Sequence, residues 1–201
     1  MADRLKRVFG KRELSGAQTA GVILAIGFVI GLAGDACHVE TGTTAYEWED
    51  VPSIWRSAIW FPFLVGIAVL SAAWAGERFV GPPVRRRGRA DAVTGIAAVL
   101  ALYALTAVIR DQPDTVSVIL IGALAVVIWS WWDPSPGALA VATTAAILGP
   151  LAEIAIVEID AAHYSESADS LGGVAPWLTG LYFAAGAVGS RMWAAIARDG
   201  R

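Results

Sequence analysis

Long apolar stretches with few charged residues constrain this chain more than any other feature of its sequence. Six of them run over residues 17–36, 57–75, 92–109, 115–132, 137–159 and 176–196. A helix needs about 20 apolar residues to cross the hydrocarbon core of a bilayer, and backbone polar groups in lipid must be paired within the helix. The pattern therefore predicts an all-α fold, a bundle of six transmembrane helices forming one integral membrane domain over residues 1–201. The links at 110–114 and 133–136 are short, which predicts antiparallel helix hairpins.

The composition agrees with a chain that is largely surrounded by lipid. Hydrophobic residues make up 56% of it and charged residues only 16%, whereas soluble domains carry about 25% charged residues. The net charge of −3 does not suggest a nucleic-acid partner. Cys37 is the only cysteine, so no intrachain disulfide can form. Abundant Ala, Gly, Val and Arg beside very few Lys indicate a bacterial gene rich in G and C.

Basic residues are concentrated at one end of the predicted bundle. The N-terminal segment, the link between the second and third helices, and the C-terminal end hold every Lys and Arg except Arg56 and Arg110. In a six-helix weave these three segments face the same side, and basic loops normally stay in the cytoplasm. We therefore predict that both termini are cytoplasmic and that the protein lies in the inner membrane of a bacterial cell.

Ionisable residues inside the apolar stretches are candidates for function, because a charge in lipid is costly. Asp35 lies near the end of the first helix, and Glu153 lies within the fifth, just past Pro150. A proline inside a helix removes one backbone hydrogen bond and bends the axis, which can open room for a ligand. Glu153 can equally be a packing residue that is protonated or bonded to a neighbouring Thr or Tyr, and the sequence leaves both interpretations open.

No catalytic set is recognisable in the sequence. Asp35 and His38 share a helix face, but a catalytic zinc site takes three protein ligands, and we interpret the pair as a capping and interface cluster. We find no serine-hydrolase elbow and no phosphate-binding loop. We therefore expect no enzyme activity, no metal and no cofactor.

Three segments carry a resemblance to a known family. They are 57–62 (Ser-Ala-Ile-Trp-Phe-Pro), 129–137 (Trp-Ser-Trp-Trp-Asp-Pro-Ser-Pro-Gly) and 177–186 (Trp-Leu-Thr-Gly-Leu-Tyr-Phe-Ala-Ala-Gly). From about Arg56 onward the chain resembles the Insig family, whose members are six-helix membrane proteins of sterol sensing. The resemblance implies a protein that binds a lipid within its bundle and is not an enzyme.

The resemblance also implies a role at a protein interface. Animal Insigs bind oxysterols and retain the escort protein SCAP and HMG-CoA reductase in the endoplasmic reticulum. Asp133 matches the family's aspartate in the cytoplasmic turn, so Asp133, Trp131 and Trp132 are predicted to bind a partner. The family's Arg-Ser-Arg-Ser turn is Pro-Ser-Pro here, and a bacterium would supply neither SCAP nor abundant sterol. The protein partner is therefore unknown, and a homo-oligomer is compatible with the sequence.

Two hypotheses of function follow. The first is a lipid-binding sensor or scaffold of Insig type, holding a diacylglycerol-like or sterol-like lipid in a cavity among helices one to five. The second is a small proton-coupled transporter or an intramembrane enzyme that uses Glu153 with Asp35 and His38. For the first hypothesis, the predicted lipid-binding residues are Asp35, His38, Tyr103, Thr106, Pro150 and Glu153.

Overall fold

A computed structural model describes residues 14–46 and 51–197 of the chain. Six long helices account for most of these residues. They are α1 (Gly16–Thr41), α2 (Trp60–Phe79), α3 (Arg89–Val108), α4 (Asp114–Trp132), α5 (Pro136–Glu158) and α6 (Leu178–Ala197). The basic N-terminal segment, Glu47, Glu49, Asp50 and the last four residues lie outside the described part of the chain.

Local sequence signals set the helix ends. Ser15 caps α1 in a capping box with Gln18, and Gly42 ends the helix in the left-handed conformation at φ 69°, where glycine is favoured. α1 therefore runs to Thr41, five residues past the predicted end. α2 begins at Trp60 and not at residue 57, because Ser57–Ala58 pairs as a strand with Ser53–Ile54.

Two small antiparallel sheets lie at one end of the bundle, which we call the sheet end. In the first, β1 (Thr44–Tyr46) follows α1 and pairs with β4 (Ala162–Tyr164), which follows α5. The second joins β2 (Ser53–Ile54) to β3 (Ser57–Ala58). The β1–β4 sheet therefore ties the ends of α1 and α5 together, although these helices are far apart in sequence.

The last helix, α6, lies at the centre of the bundle. It packs against all five other helices, and most of its residues are buried. The helices α4 and α5 are joined by a tight turn, but beyond it they diverge and pack mainly on α6 instead of on each other. The predicted α4–α5 hairpin is therefore antiparallel in direction but open along its length.

Five helices of the described chain, α1 to α5, are long and apolar enough to cross a membrane. This supports an all-α membrane protein, while the predicted count of six spans rests on α6. That helix has the same length as α2 and α3, but it carries Arg191, Tyr182 and Ser190. Because its neighbours surround it, α6 needs less apolar surface than a helix that faces lipid.

Glycines on α1 and α6 allow helices of this chain to approach closely. A Cβ added at Gly27 would lie 2.8 Å from the Cα of Gly66, and one at Gly31 would lie 2.7 Å from Val65, both on α2. On α6, a Cβ at Gly186 would meet Ala145 of α5 at 2.6 Å. Such close approach of backbones is how helices associate in lipid, where the hydrophobic effect between them is weak.

Candidate functional site

Polar side chains from four helices meet just beneath the β1–β4 sheet. The predicted residues Asp35 and His38 (α1), Tyr103 and Thr106 (α3) and Glu153 (α5) come together there. They are joined by three tyrosines that the sequence analysis did not single out. We call these eight residues the sheet-end cluster: Asp35, His38, Tyr46, Tyr103, Thr106, Glu153, Tyr164 and Tyr182.

Each buried carboxylate in the cluster accepts hydrogen bonds from tyrosines. The Tyr46 hydroxyl donates to Asp35 Oδ2 at 2.7 Å. Glu153 accepts from Tyr182 at Oε1 (2.7 Å) and from Tyr164 at Oε2 (3.3 Å). Asp35 is 2% and Glu153 5% exposed. Since an unpaired carboxylate at such depth would be very costly, the tyrosines make its burial tolerable.

The β1–β4 sheet supplies two of these donors. Tyr46 ends β1 and Tyr164 ends β4, so the sheet places one hydroxyl on the α1 carboxylate and another on the α5 carboxylate. Burial and the neighbouring Asp35 raise the pKa of Tyr46, and burial and Glu153 raise that of Tyr164. Both hydroxyls therefore keep their protons and remain donors.

Gly149 makes room for the tyrosine that holds Glu153. A Cβ at Gly149 would lie 2.2 Å from the Tyr182 ring, so only glycine lets the ring cross α5 here. Pro150 is buried beside it, and α5 continues as one helix through this proline to Glu158. The Gly-Pro pair is thus placed where α6 crosses α5, one turn before Glu153.

His38 and Thr106 form a second, fully buried pair in the cluster. The His38 Nε2 lies 2.9 Å from Thr106 Oγ1, and the Thr106 hydroxyl donates to the Tyr103 carbonyl at 2.6 Å. A hydroxyl has one proton to donate, so in this arrangement His38 Nε2 is the donor. The His38 ring also packs edge-on against Tyr103 and Trp177, which fixes its orientation.

The Tyr103 hydroxyl differs from the others in the cluster. Its ring lies over Gly34, where an added Cβ would be 2.0 Å away. Among the described residues no side chain or backbone group forms a hydrogen bond with this hydroxyl. Tyr103 therefore keeps a polar group available next to the cavity described below.

An apolar cavity of about 60 Å³ begins at the sheet-end cluster and extends toward the other end of the bundle. Its walls come from α1, α2, α3 and α6, and include Ile30, Val65, Val99 and Val188, with Tyr103 and Tyr182 on its border. The sequence predicted a cavity among helices one to five, whereas this one lies among α1, α2, α3 and the central α6. A second space of about 470 Å³ is an open apolar groove between α2 and α5.

The predicted partner residue Asp133 is fully buried. It forms an ion pair with Arg191 of α6, accepts from the Ser135 hydroxyl at 3.0 Å and accepts from the Val84 amide at 3.3 Å. Arg191 also donates to the Gly81 carbonyl at 2.8 Å. Ser135 in turn caps α5 by accepting from the Ala138 amide at 3.2 Å.

Trp132 is also buried, and Trp131 is half-buried. Asp133 and Trp132 therefore contact their own chain on all sides in this conformation. The two residues hold together the α2–α3 loop, the α4–α5 turn and α6 at the end of the bundle opposite the sheets, which we call the arginine end. A partner-binding role for them remains a prediction.

Sequence reasoning found the buried carboxylates but not their partners. Tyr46, Tyr164 and Tyr182 lie far from Asp35 or Glu153 along the chain, although each buried carboxylate required some donor. Arg191 was counted only as a topology signal, yet it lies inside an apolar stretch, where a paired acid is expected. Within 14–46 and 51–197, no three His, Cys, Asp or Glu side chains are grouped so that they could hold a metal.

Comparison with known proteins relates the chain to a curated bacterial protein and to two crystal structures. No protein-family model matches it. It is 40% identical over 171 residues to an INSIG protein homologue from Mycolicibacterium vanbaalenii, covering 84% of this chain and 82% of that protein. Its fold matches the crystal structure of the Insig homologue of Mycobacterium vanbaalenii with a TM-score of 0.86 at 36% identity, over 93% of this chain and 98% of that one. The match to a cross-linked trimer of the same homologue is equally good.

Proposed function

Because this chain belongs to the Insig family, we propose that it binds a neutral lipid within its bundle and acts as a membrane sensor or scaffold. The family relation inferred from the three sequence motifs is thereby confirmed. The observation that carries the proposal is the apolar cavity with the free Tyr103 hydroxyl at its border. Ligand pockets are typically apolar with a few placed polar groups that orient the ligand.

The cavity must widen to hold a lipid. Pockets for small molecules have volumes of roughly 300 to 1,000 Å³, whereas this cavity measures about 60 Å³. The structure therefore corresponds to a closed, ligand-free conformation in this proposal. Outward movement of α1, α2 and α3 from the central α6 would enlarge the cavity along its length.

The composition of the site favours a neutral ligand. Neither the sheet-end cluster nor the wall of the cavity contains a lysine or an arginine, so a phosphate group would have no cationic partner there. The ligand we propose is accordingly diacylglycerol-like or sterol-like, with a hydroxyl or ester oxygen near Tyr103. The other predicted residues would support the wall of the site without contacting the polar group of the lipid. The side-chain polar groups of His38, Thr106 and Glu153 are already hydrogen-bonded, and the Pro150 side chain has none.

The scaffold part of the proposal concerns the arginine end. Since Asp133 is buried, we propose that it supports partner binding indirectly, by holding the α2–α3 loop in place for a protein that binds there. The Insig homologue of Mycobacterium vanbaalenii forms a cross-linked trimer. By analogy we propose that this chain is a homo-oligomer, in which a second copy is a candidate partner.

We also propose that α6 crosses the membrane as a sixth span. It is 20 residues long and surrounded by five apolar helices, so its polar residues face protein and not lipid. With six spans and cytoplasmic basic residues at the arginine end, both termini would lie in the cytoplasm. The proposed location is the inner membrane of a bacterial cell.

Mass spectrometry of lipids that co-purify with the protein tests the proposal. We expect a stoichiometric neutral lipid, retained about two- to tenfold less well by Tyr103→Phe, because one hydrogen bond is lost. The melting temperature of Tyr103→Phe should not change, since that hydroxyl has no hydrogen-bond partner among the residues that the structure describes. Tyr46→Phe is the matched control, because it should lower the melting temperature without changing lipid retention.

The alternative function predicts a different result. A proton-coupled transporter or intramembrane enzyme using Glu153, Asp35 and His38 would need a polar path along the bundle. The walls of the cavity beyond the cluster are aliphatic, which favours a lipid over an ion or a polar substrate. Absence of any co-purified neutral lipid, together with proton-coupled uptake into vesicles, would reject the lipid proposal in favour of this one.

A further inference from the structure

The basic α2–α3 loop and the first residue of α3 carry arginines with structural roles. Arg87 donates to the carbonyl of Trp132 at 3.2 Å and to that of Trp131, and its guanidinium lies 4.9 and 5.2 Å from the centres of their rings. Arg89 donates to the carbonyl of Ile196 at 3.2 Å. These two arginines therefore fasten the loop to the last turns of α4 and α6, where carbonyls lack helical partners.

Three other arginines at the same end are exposed. Arg78 lies in the last turn of α2, and Arg85 and Arg86 lie in the loop. Within the described part of the chain, none of the three forms a salt bridge or a hydrogen bond. Their charge is therefore not used by the part of the chain that the structure describes.

Large apolar side chains are exposed beside these arginines. Phe79 is 71%, Val84 61% and Trp74 55% exposed, and the Trp74 and Phe79 rings pack edge to face at 5.6 Å. We call this surface the arginine–aromatic patch: Trp74, Arg78, Phe79, Val84, Arg85 and Arg86. Aromatic rings at the end of a membrane helix lie at the depth of the lipid headgroups, which places the three arginines at the depth of the phosphates.

We propose that the arginine–aromatic patch binds the headgroup of an anionic phospholipid such as phosphatidylglycerol. The guanidinium group matches the geometry of a phosphate, and the exposed rings and Val84 would contact the upper acyl chains. A topology signal needs only the positive charges. A topology signal does not explain why Arg87 and Arg89 bind carbonyls of the protein while the neighbouring Arg85 and Arg86 stay exposed beside apolar side chains. This site is separate from the sheet-end cluster, which lies at the opposite end of the bundle.

Native mass spectrometry of the full-length protein in detergent tests this site. The protein is titrated with phosphatidylglycerol and, in parallel, with phosphatidylcholine. We expect preferential retention of phosphatidylglycerol, reduced about fivefold for each arginine removed in Arg85→Gln/Arg86→Gln. Retention should also fall as the salt concentration rises, because the contact is exposed.

The double variant Arg56→Gln/Arg110→Gln is the matched control, because it removes the same charge from the sheet end. It should retain phosphatidylglycerol like the wild type. Arg78→Gln removes a single charge and should therefore lower the retention of phosphatidylglycerol about fivefold. Equal retention of the two lipids by the wild type, or an equal loss in the control, would overturn the proposal. Displacement of the lipid by millimolar inorganic phosphate would do so too, since the patch would then be a free-phosphate site.

Discussion

Replacing Asp133 with alanine should strongly destabilise the arginine end of the bundle. The change removes the ion pair with Arg191 and the acceptor for the Ser135 hydroxyl and the Val84 amide. The Arg191 side chain is 6% exposed, so it would keep a buried positive charge with only neutral partners. Breaking one side of a buried ion pair costs about 3–5 kcal/mol.

The size of the effect can be checked by thermal unfolding in detergent, followed by tryptophan fluorescence. For a chain of this length each kcal/mol shifts the melting temperature by about 2–4 °C. Asp133→Ala should therefore lower it by about 6–20 °C, from the 3–5 kcal/mol cost. The double variant Asp133→Leu/Arg191→Met should lose less than Asp133→Ala, because it leaves no unpaired charge.

Glu40→Ala provides the control for this prediction. Glu40 lies 3.9 Å from Arg56, but its side chain is 65% exposed, and such pairs contribute about 0–1 kcal/mol. The variant should shift the melting temperature by a few degrees at most. If Asp133→Ala is as mild as Glu40→Ala, or if the double variant is the less stable one, Asp133 is not a buried structural charge.

Three further predictions concern the cavity, the cluster and the topology. Val99→Trp fills the cavity and should expel the co-purified lipid, so lipid retained at the wild-type level would put the lipid elsewhere. Gly149→Ala places a Cβ 2.2 Å from the Tyr182 ring; we expect it to break the bond to the buried carboxylate and lower the melting temperature, and an unchanged value would contradict this. In a cysteine-free background, Arg85→Cys should react with an impermeant thiol reagent only from the cytoplasm and Glu166→Cys only from outside, and the reverse pattern would refute the proposed orientation.

Sequence reasoning located the helices and the buried carboxylates because lipid penalises polar groups severely. Each apolar stretch became a helix, with ends shifted by a few residues where Gly42 or the β2–β3 pairing intervened. The same penalty pointed to Asp35 and Glu153, and in the structure each of them accepts a hydrogen bond from at least one tyrosine. The tyrosines that donate to these two carboxyl groups could not be assigned from the sequence, because several Tyr, Ser and Thr hydroxyls could have been the donors.

The role of Asp133 depended on tertiary structure for a related reason. A turn between two membrane helices normally lies at the surface, so the sequence favoured an exposed residue at an interface. The α2–α3 loop folds over this turn, and Arg191 reaches it from α6. Both contacts join residues distant in the chain, and no local pattern signals them.

The sequence by itself determined which segments leave water for the membrane and where the basic residues are concentrated. Only the tertiary structure decided that α6 is the central helix, that α4 and α5 diverge, and that the cavity borders α6. In water, a helix reveals its buried side by an apolar stripe. In lipid the surroundings are as apolar as the protein interior, so no apolar stripe distinguishes the buried side of a helix. The sequence then carries only isolated polar residues such as Arg191, which indicate contact with protein but not with which helix.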